Sequence, residues 1–195
     1  MKKMNNKGFS LVELIIVIAI MAILAGAIAP ALIRYIDKSR KSNDVSSCKA
    51  IKTAVETALG NESIYEYLTY NGSGTGVTTI KVICNQNTSS AGTTAIQISG
   101  CTAPADADAN IATTAATEIG TNIGEKTPKI KYKKASGTSG VTPGAFYAFV
   151  TTKGTVYVVI GDKDTAPSYT VDATTKAVTF TTGYVICPDI CADYQ

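Results

Sequence analysis

The feature that most constrains the fold is an apolar stretch near the N-terminus, residues 9–30, with the sequence FSLVELIIVIAIMAILAGAIAP. A single charged residue, Glu13, interrupts it. About 20 apolar residues in an α-helix are enough to cross the hydrocarbon core of a bilayer. Lys2, Lys3 and Lys7 precede the stretch, and a basic flank keeps the N-terminus on the cytoplasmic side. The sequence therefore predicts a membrane-spanning helix that leads to an external domain.

Three interpretations of this stretch compete. A cleaved secretory signal would end at small residues, which Ala27 and Ala29 supply, but Pro30 would then follow the cut and is a poor residue there. In an ordinary membrane anchor, Glu13 would cost about 2.5–3.5 kcal/mol if it stayed unpaired at depth. The third interpretation rests on the residues that surround Glu13.

The sequence KGFSLVEL, residues 7–14, resembles the processing site of type IV pilins and of their relatives, the pseudopilins. In that family a prepilin peptidase cuts after the glycine, here Gly8, and the new N-terminal residue, here Phe9, is methylated. The resemblance covers about the first 30 residues. It implies an α+β fold in which a long N-terminal helix, hydrophobic in its first half, packs on a C-terminal antiparallel β-sheet head.

The same resemblance implies that subunits polymerise through the hydrophobic helix. Glu13 lies one helical turn from Phe9, and the resemblance implies that it pairs with the terminal amine of a neighbouring subunit, which would offset the cost of burying a carboxylate. Alternatively, Glu13 is an interfacial acid near the membrane surface. Gly26 and Pro30 weaken one helical turn, which predicts either a segment that unwinds in the filament or a simple kink.

Beyond this stretch the helical pattern continues, with apolar residues at steps of three and four from Val45 to Leu59 and a stop at Gly60. This pattern predicts that the second half of the helix is amphipathic and packs on its own head. The predicted organisation is a leader (1–8), a transmembrane and polymerisation helix (9–30), the amphipathic half of the same helix (31–59) and an extracellular globular head (60–195).

The strongest β pattern predicts a hairpin from residues 145–151 and 155–161. Weaker patterns predict strands at 77–84, 95–99 and 176–182, a solvent-facing edge strand at 129–134, and a short helix at about 108–119. Residues 62–70 fit either a helix or a strand. The region 85–124 has few large apolar residues, so we expect it to supply little of the core.

Five cysteines, an odd number, lie in the predicted external part, where disulfides persist. Cys84 and Cys101 bracket a small loop, and Cys187 and Cys191 bracket a tight C-terminal one. Either of the last two could instead pair with Cys48. A zinc site would lack histidine and a CxxC pair. Connectivity therefore stays open.

Composition narrows the function classes. The chain has no histidine, the commonest general base and metal ligand, and no convincing nucleophile–base pair, so we expect no enzymatic activity, cofactor or metal. The net charge of +3 equals the contribution of the three leader lysines. This excess therefore reflects membrane topology, and we expect no direct nucleic-acid partner.

The resemblance implies a structural subunit of a type IV pilus filament that serves adhesion, twitching motility or surface attachment. Its partners would be copies of itself, the prepilin peptidase, the assembly platform with its ATPases, and the cytoplasmic membrane before assembly. The expected location is a bacterial cell-surface pilus. The alternatives are a pseudopilin of a type II secretion or DNA-uptake machine, and a membrane-anchored monomeric binding domain.

Overall fold

The computed structural model describes residues 9–70, 76–88, 95–101, 103–104, 107–133, 141–172 and 174–195. The chain forms two compact units, of which the first ends at Ser39 and the second, Arg40–Gln195, is called the head below. The predicted leader, residues 1–8, lies outside the described residues. Each unit is described by itself.

The described residues form three α-helices: α1 (Leu11–Ala58), α2 (Glu62–Thr69) and α3 (Ile111–Ile123). The part of α1 that belongs to the head buries one stripe at helical spacing, as the sequence predicts; the stripe consists of Asp44, Val45, Cys48, Ile51, Ala54, Val55 and Ala58. The ambiguous segment after α1 is helical because Asn61 caps it, with its side chain accepting a hydrogen bond from the Ser63 N–H.

The part of the chain that the structure describes also contains seven β-strands in two antiparallel sheets: β1 (Val77–Val82), β2 (Ile96–Ser99), β3 (Ala145–Thr151), β4 (Val156–Gly161), β5 (Tyr169–Val171), β6 (Val178–Phe180) and β7 (Tyr184–Cys187). The main sheet has the order β2-β1-β3-β4-β7, and β5 pairs only with β6. A 3-10 helix, Ala192–Tyr194, follows β7. The predicted α+β fold with an antiparallel sheet is confirmed.

The central strand β3 is buried along its whole length because both of its faces are covered. Phe146, Ala148 and Val150 belong to the large core between the sheet and the helices. The alternate residues Tyr147 and Phe149 belong to a second cluster beneath the β5–β6 hairpin. The head therefore has three layers: helices, main sheet and a small hairpin.

The prediction of an edge strand at residues 129–134 is wrong for the part that the structure describes, which ends at Lys133. This segment is held by a side chain instead of by a neighbouring strand. Asp44 of α1 accepts hydrogen bonds from the backbone N–H groups of Lys131 and Tyr132, each at 2.8 Å. Lysine alternation alone could not reveal this distant acceptor.

Two further predictions need correction. Residues 176–182 do not extend the main sheet; they contribute β6 to the separate hairpin, whose aromatic residue Phe180 lies 4.9 Å from Phe149 between ring centroids. The region 85–124 was expected to supply little of the core, but α3 lies within it and buries Ile111 and Ile119 in the large core. Small residues such as alanine allow α3 to approach closely, so few large side chains suffice.

Candidate assembly site

The first unit presents a large apolar surface. Every large hydrophobic side chain from Phe9 to Ile36 is at least 39% exposed. The helix is long and apolar enough to cross a membrane by length and composition. Isolated soluble chains rarely expose apolar surface on this scale, so it requires lipid or other protein around it.

The start of α1 is organised by the only charged residue of the hydrophobic stretch. Glu13 lies in the first turn, and its Oε2 accepts a hydrogen bond of 2.9 Å from the backbone N–H of Ser10. The first helical bond runs from the Leu14 N–H to the Ser10 carbonyl. The bond from the Ser10 N–H to Glu13 is one half of a capping box, and the negative charge also suits the positive end of the helix dipole.

Sequence reasoning missed this local role of Glu13, although the pattern S-x-x-E at residues 10–13 could have revealed it. The predicted processing residue Phe9 is described directly before the helix and is 84% exposed. Its predicted partner in processing, Gly8, lies outside the described residues. The roles of both residues in cleavage stay predictions.

Helix α1 continues through Gly26 and Pro30 without interruption, so the predicted unwinding is not a property of this single chain. A Cβ atom placed on Gly26 would meet nothing within 4 Å. Nothing among the described residues therefore requires a glycine at this position. The roles assigned to Gly26 and Pro30 in assembly stay predictions, and they concern contacts with other molecules.

The strand register separates the cysteines Cys84 and Cys101. In the β1–β2 pair Thr79 lies opposite Ser99 and Val82 opposite Ile96, so Cys101 follows one end of the ladder and Cys84 follows the other. A strand rises about 3.3 Å per residue, so the three residue steps between these pairs already separate the two cysteines by about 10 Å. A disulfide requires about 7 Å or less, and this fold therefore does not permit the Cys84–Cys101 pair.

The remaining cysteines have different surroundings. Cys48 and Cys187 are buried in the core between helices and sheet, and Cys191 packs against that core. Burial raises the pKa of the Cys187 thiol and of the Cys191 thiol. The Cys84 thiol donates a hydrogen bond of 3.4 Å to the Gly144 carbonyl. All five thiols are free, and the described residues contain no group of three or more His, Cys, Asp or Glu that could hold a metal ion.

Comparison with known proteins identifies the N-terminal segment. The family described as "Prokaryotic N-terminal methylation motif" matches residues 3–29. Fimbrial protein Q of Moraxella bovis is 53% identical over 54 residues, which cover 28% of this chain and 34% of that protein. The type IV major fimbrial protein FimA of Dichelobacter nodosus is 44% identical over 57 residues, which cover 29% and 36%. The N-terminal segment resembles those of type IV fimbrial and pilin proteins.

The predicted resemblance to type IV pilins is thus confirmed. A longer match, to prepilin peptidase-dependent protein A of Clostridium perfringens, is 38% identical over 99 residues and covers 50% of this chain and 59% of that protein. The chain spans about a third of the length of the first curated relatives that it matches. No solved structure matches the chain significantly.

Proposed function

We propose that this chain is a structural subunit of a type IV pilus that assembles through its hydrophobic N-terminal helix. The observation that carries the proposal is the combination of the methylation motif at residues 3–29 with an apolar helix that no described part of its own unit buries. The names of the relatives, which are fimbrial and pilin proteins, support it. The filament would serve surface attachment, adhesion or twitching motility.

Under this proposal the chain is stored in the cytoplasmic membrane, cut after Gly8 and methylated at Phe9 before it enters a filament at the cell surface. Residues 1–8 are then the leader, 9–30 the polymerisation helix, 31–59 its amphipathic continuation and 60–195 the extracellular globular domain with its antiparallel sheet. The peptidase, an assembly platform and its ATPases would act on it.

Glu13 would have two acceptor roles in this scheme. Its carboxylate caps the backbone N–H of Ser10 within the chain, and it would pair with the Phe9 amine of a neighbouring subunit in the filament. A carboxylate offers up to four lone-pair sites, so one group can serve both donors. The two roles differ in their need for charge, because a neutral amide also serves in a capping box.

The first test is mass analysis of the N-terminus of the protein isolated from its native host. We expect a chain that begins at methylated Phe9. A chain that begins at Met1 would support a monomeric membrane anchor instead, and a start near Pro30 would support a secreted domain. Either result would overturn the proposal.

The second test compares Glu13→Gln with Glu13→Ala by the yield of sheared surface fibres. Glutamine retains an acceptor for the Ser10 N–H but removes the charge, and alanine removes both. We expect both variants to lose fibres, whereas Glu66→Ala, at an exposed position of α2, should assemble normally. Full assembly of Glu13→Gln would refute charge pairing between subunits.

A further inference from the structure

Two of the five cysteines are buried in the head core, and a third follows one of them closely in the chain. Cys48 lies on the buried stripe of α1 and is fully buried, and Cys187, at the end of β7, is 4% exposed. Both belong to the same cluster of side chains between the helices and the sheet. Cys191 lies close by, because the backbone turns back after β7 and the Cys191 N–H bonds to the Val185 carbonyl at 2.9 Å.

The neighbours of Cys48 affect the pKa of its thiol. Burial is the main cause that raises its pKa, and Cys187 is the next, ahead of Asp44, Cys191 and Cys84. Cys101 does not contribute; it lies against the Tyr67 side chain, with which it hydrogen-bonds, at the opposite end of the β1–β2 ladder. Of the five cysteines, Cys48 and Cys187 are the two that are buried within the same core cluster, which favours Cys187 as the partner of Cys48.

Strand positions disfavour a pairing of Cys84 with Cys187. Cys84 follows β1, and two strands, β3 and β4, separate β1 from β7 in the main sheet. Cys187 lies level with Val158, which pairs with Ala148 and through it with Ile80, four residues before Cys84. Because strands lie about 4.8 Å apart, Cys84 and Cys187 are separated both across and along the sheet, beyond the reach of a disulfide.

We propose that Cys48 and Cys187 form a disulfide in the exported protein and thereby tie the long helix α1 to the last strand of the sheet. This inference depends on the external location of the head, which is part of the proposed function. The pair of thiols loses two electrons and two protons, the S–S bond forms, and an external protein disulfide of the thiol-oxidoreductase class is reduced to its dithiol.

The order of steps follows from burial. The Cys187 thiolate attacks the external disulfide, a mixed disulfide forms and one external thiolate leaves. The Cys48 thiolate then attacks the Cys187 sulfur and displaces the second external thiolate. Because Cys48 is fully buried in the folded head, this second attack takes place while α1 is still docking on the sheet.

The test is disulfide mapping on the full chain extracted from the cell envelope, which does not require that fibres form. Free thiols are alkylated under denaturing conditions before digestion with trypsin and with a protease that cuts before aspartate. The second cut, before Asp189, separates Cys187 from Cys191. We expect one cross-linked species that joins the Cys48 peptide to the Cys187 peptide, with Cys101 alkylated.

Alkylated Cys48, or a bond from Cys48 to another cysteine, would overturn the inference. A stability measurement needs no variant that might misfold: reduction of the wild-type chain should lower its Tm by about 10 °C. The Cys48→Ala variant should show no such drop on reduction, whereas the matched control Cys101→Ala should show the full drop. An equal drop in Cys48→Ala would also overturn the pairing.

Discussion

Replacement of Asp44 is the most informative perturbation of the head. Asp44 is fully buried on α1, and its two carboxylate oxygens accept hydrogen bonds from consecutive backbone N–H groups, those of Lys131 and Tyr132. These bonds connect residues that are 87 and 88 positions apart in the chain. In the part of the chain that the structure describes, no strand pairing holds this segment, so Asp44 is its main polar anchor.

The expected loss of stability depends on whether water can reach the N–H groups that lose their acceptor. Asp44→Ala removes both acceptors. The Tyr132 N–H is buried and would lose its partner outright, which costs about 1–3 kcal/mol, whereas the Lys131 N–H is only partly buried and can find water at lower cost. Removal of the buried charge returns some desolvation energy. We therefore expect a net loss of about 2–3 kcal/mol in the free energy of unfolding.

Asp44→Asn should lose less, about 1–2 kcal/mol, because the amide oxygen keeps one bond while its NH₂ group faces the other donor. Urea unfolding of the full chain in detergent micelles measures these losses. The chain has ten tyrosines and no tryptophan, so near-UV circular dichroism of tyrosine reports on the packing around Tyr132. Asp164→Ala, at an exposed position, is the control and should change stability by less than about 0.5 kcal/mol.

The pH dependence gives a second readout of the same residue. Asp44 belongs to the head, and burial raises its pKa above the ordinary value of 3.8, outweighing the two N–H bonds that lower it. At a pH between the ordinary pKa and the raised one, the Asp44 carboxyl group is protonated in the folded state and ionised in the unfolded chain. The contribution of this group to stability is therefore complete below 3.8 and is lost as the pH rises through the folded pKa.

Asp44→Asn should lack this decline. A loss below about 0.5 kcal/mol for Asp44→Ala, or an identical pH profile for the wild type and Asp44→Asn, would refute the reasoning.

Three further predictions concern the head. Tyr194→Phe should leave the free energy of unfolding unchanged or raise it by up to about 1 kcal/mol, because the Tyr194 hydroxyl is buried without a hydrogen-bond partner among the described residues. Tyr184→Phe, which removes a bond to the Val141 carbonyl, should lower the free energy of unfolding by about 1 kcal/mol in the same urea titration. A larger loss for Tyr194→Phe than for Tyr184→Phe would contradict the prediction. Phe149→Ala should cost about 3–5 kcal/mol and loosen the β5–β6 hairpin, measured by faster amide exchange in β6 than in β2; equal exchange would argue against a packed hairpin. Gly144→Ala should lower Tm, because the added Cβ would lie 2.6 Å from the backbone nitrogen of Lys163, and an unchanged Tm would show that this loop yields easily.

Local patterns were sufficient to predict the elements whose neighbours are close in the sequence. The β3–β4 hairpin alternates over strands joined by a short turn, and the helical stripe repeats over several turns, so each pattern carries its own pairing information. The capping box at Ser10 and Glu13 was equally local and could have been predicted.

Contacts between distant residues could not be predicted in the same way. The strands β5 and β6 have three residues each, too few to establish a period, and their place over Phe149 depends on aromatic packing across the sheet. The role of Asp44 could not be predicted either, because a single acid within an apolar helical stripe has no evident purpose until its distant N–H partners are known. In the first unit the assembly residues stay predictions, because the groups that they would contact belong to other molecules.

The head and the hydrophobic helix meet opposite requirements, and this contrast supports the proposed assembly. The head closes its own core: one stripe of α1 is buried within it, and buried polar groups such as those of Asp44 and Tyr132 satisfy each other. The hydrophobic segment leaves its apolar side chains exposed. In a filament held by that segment, tension on a head would pass through residues 40–58 of α1. The Asp44 bonds and the proposed Cys48–Cys187 link both join this part of α1 to later parts of the chain, and they would therefore resist its separation from the sheet.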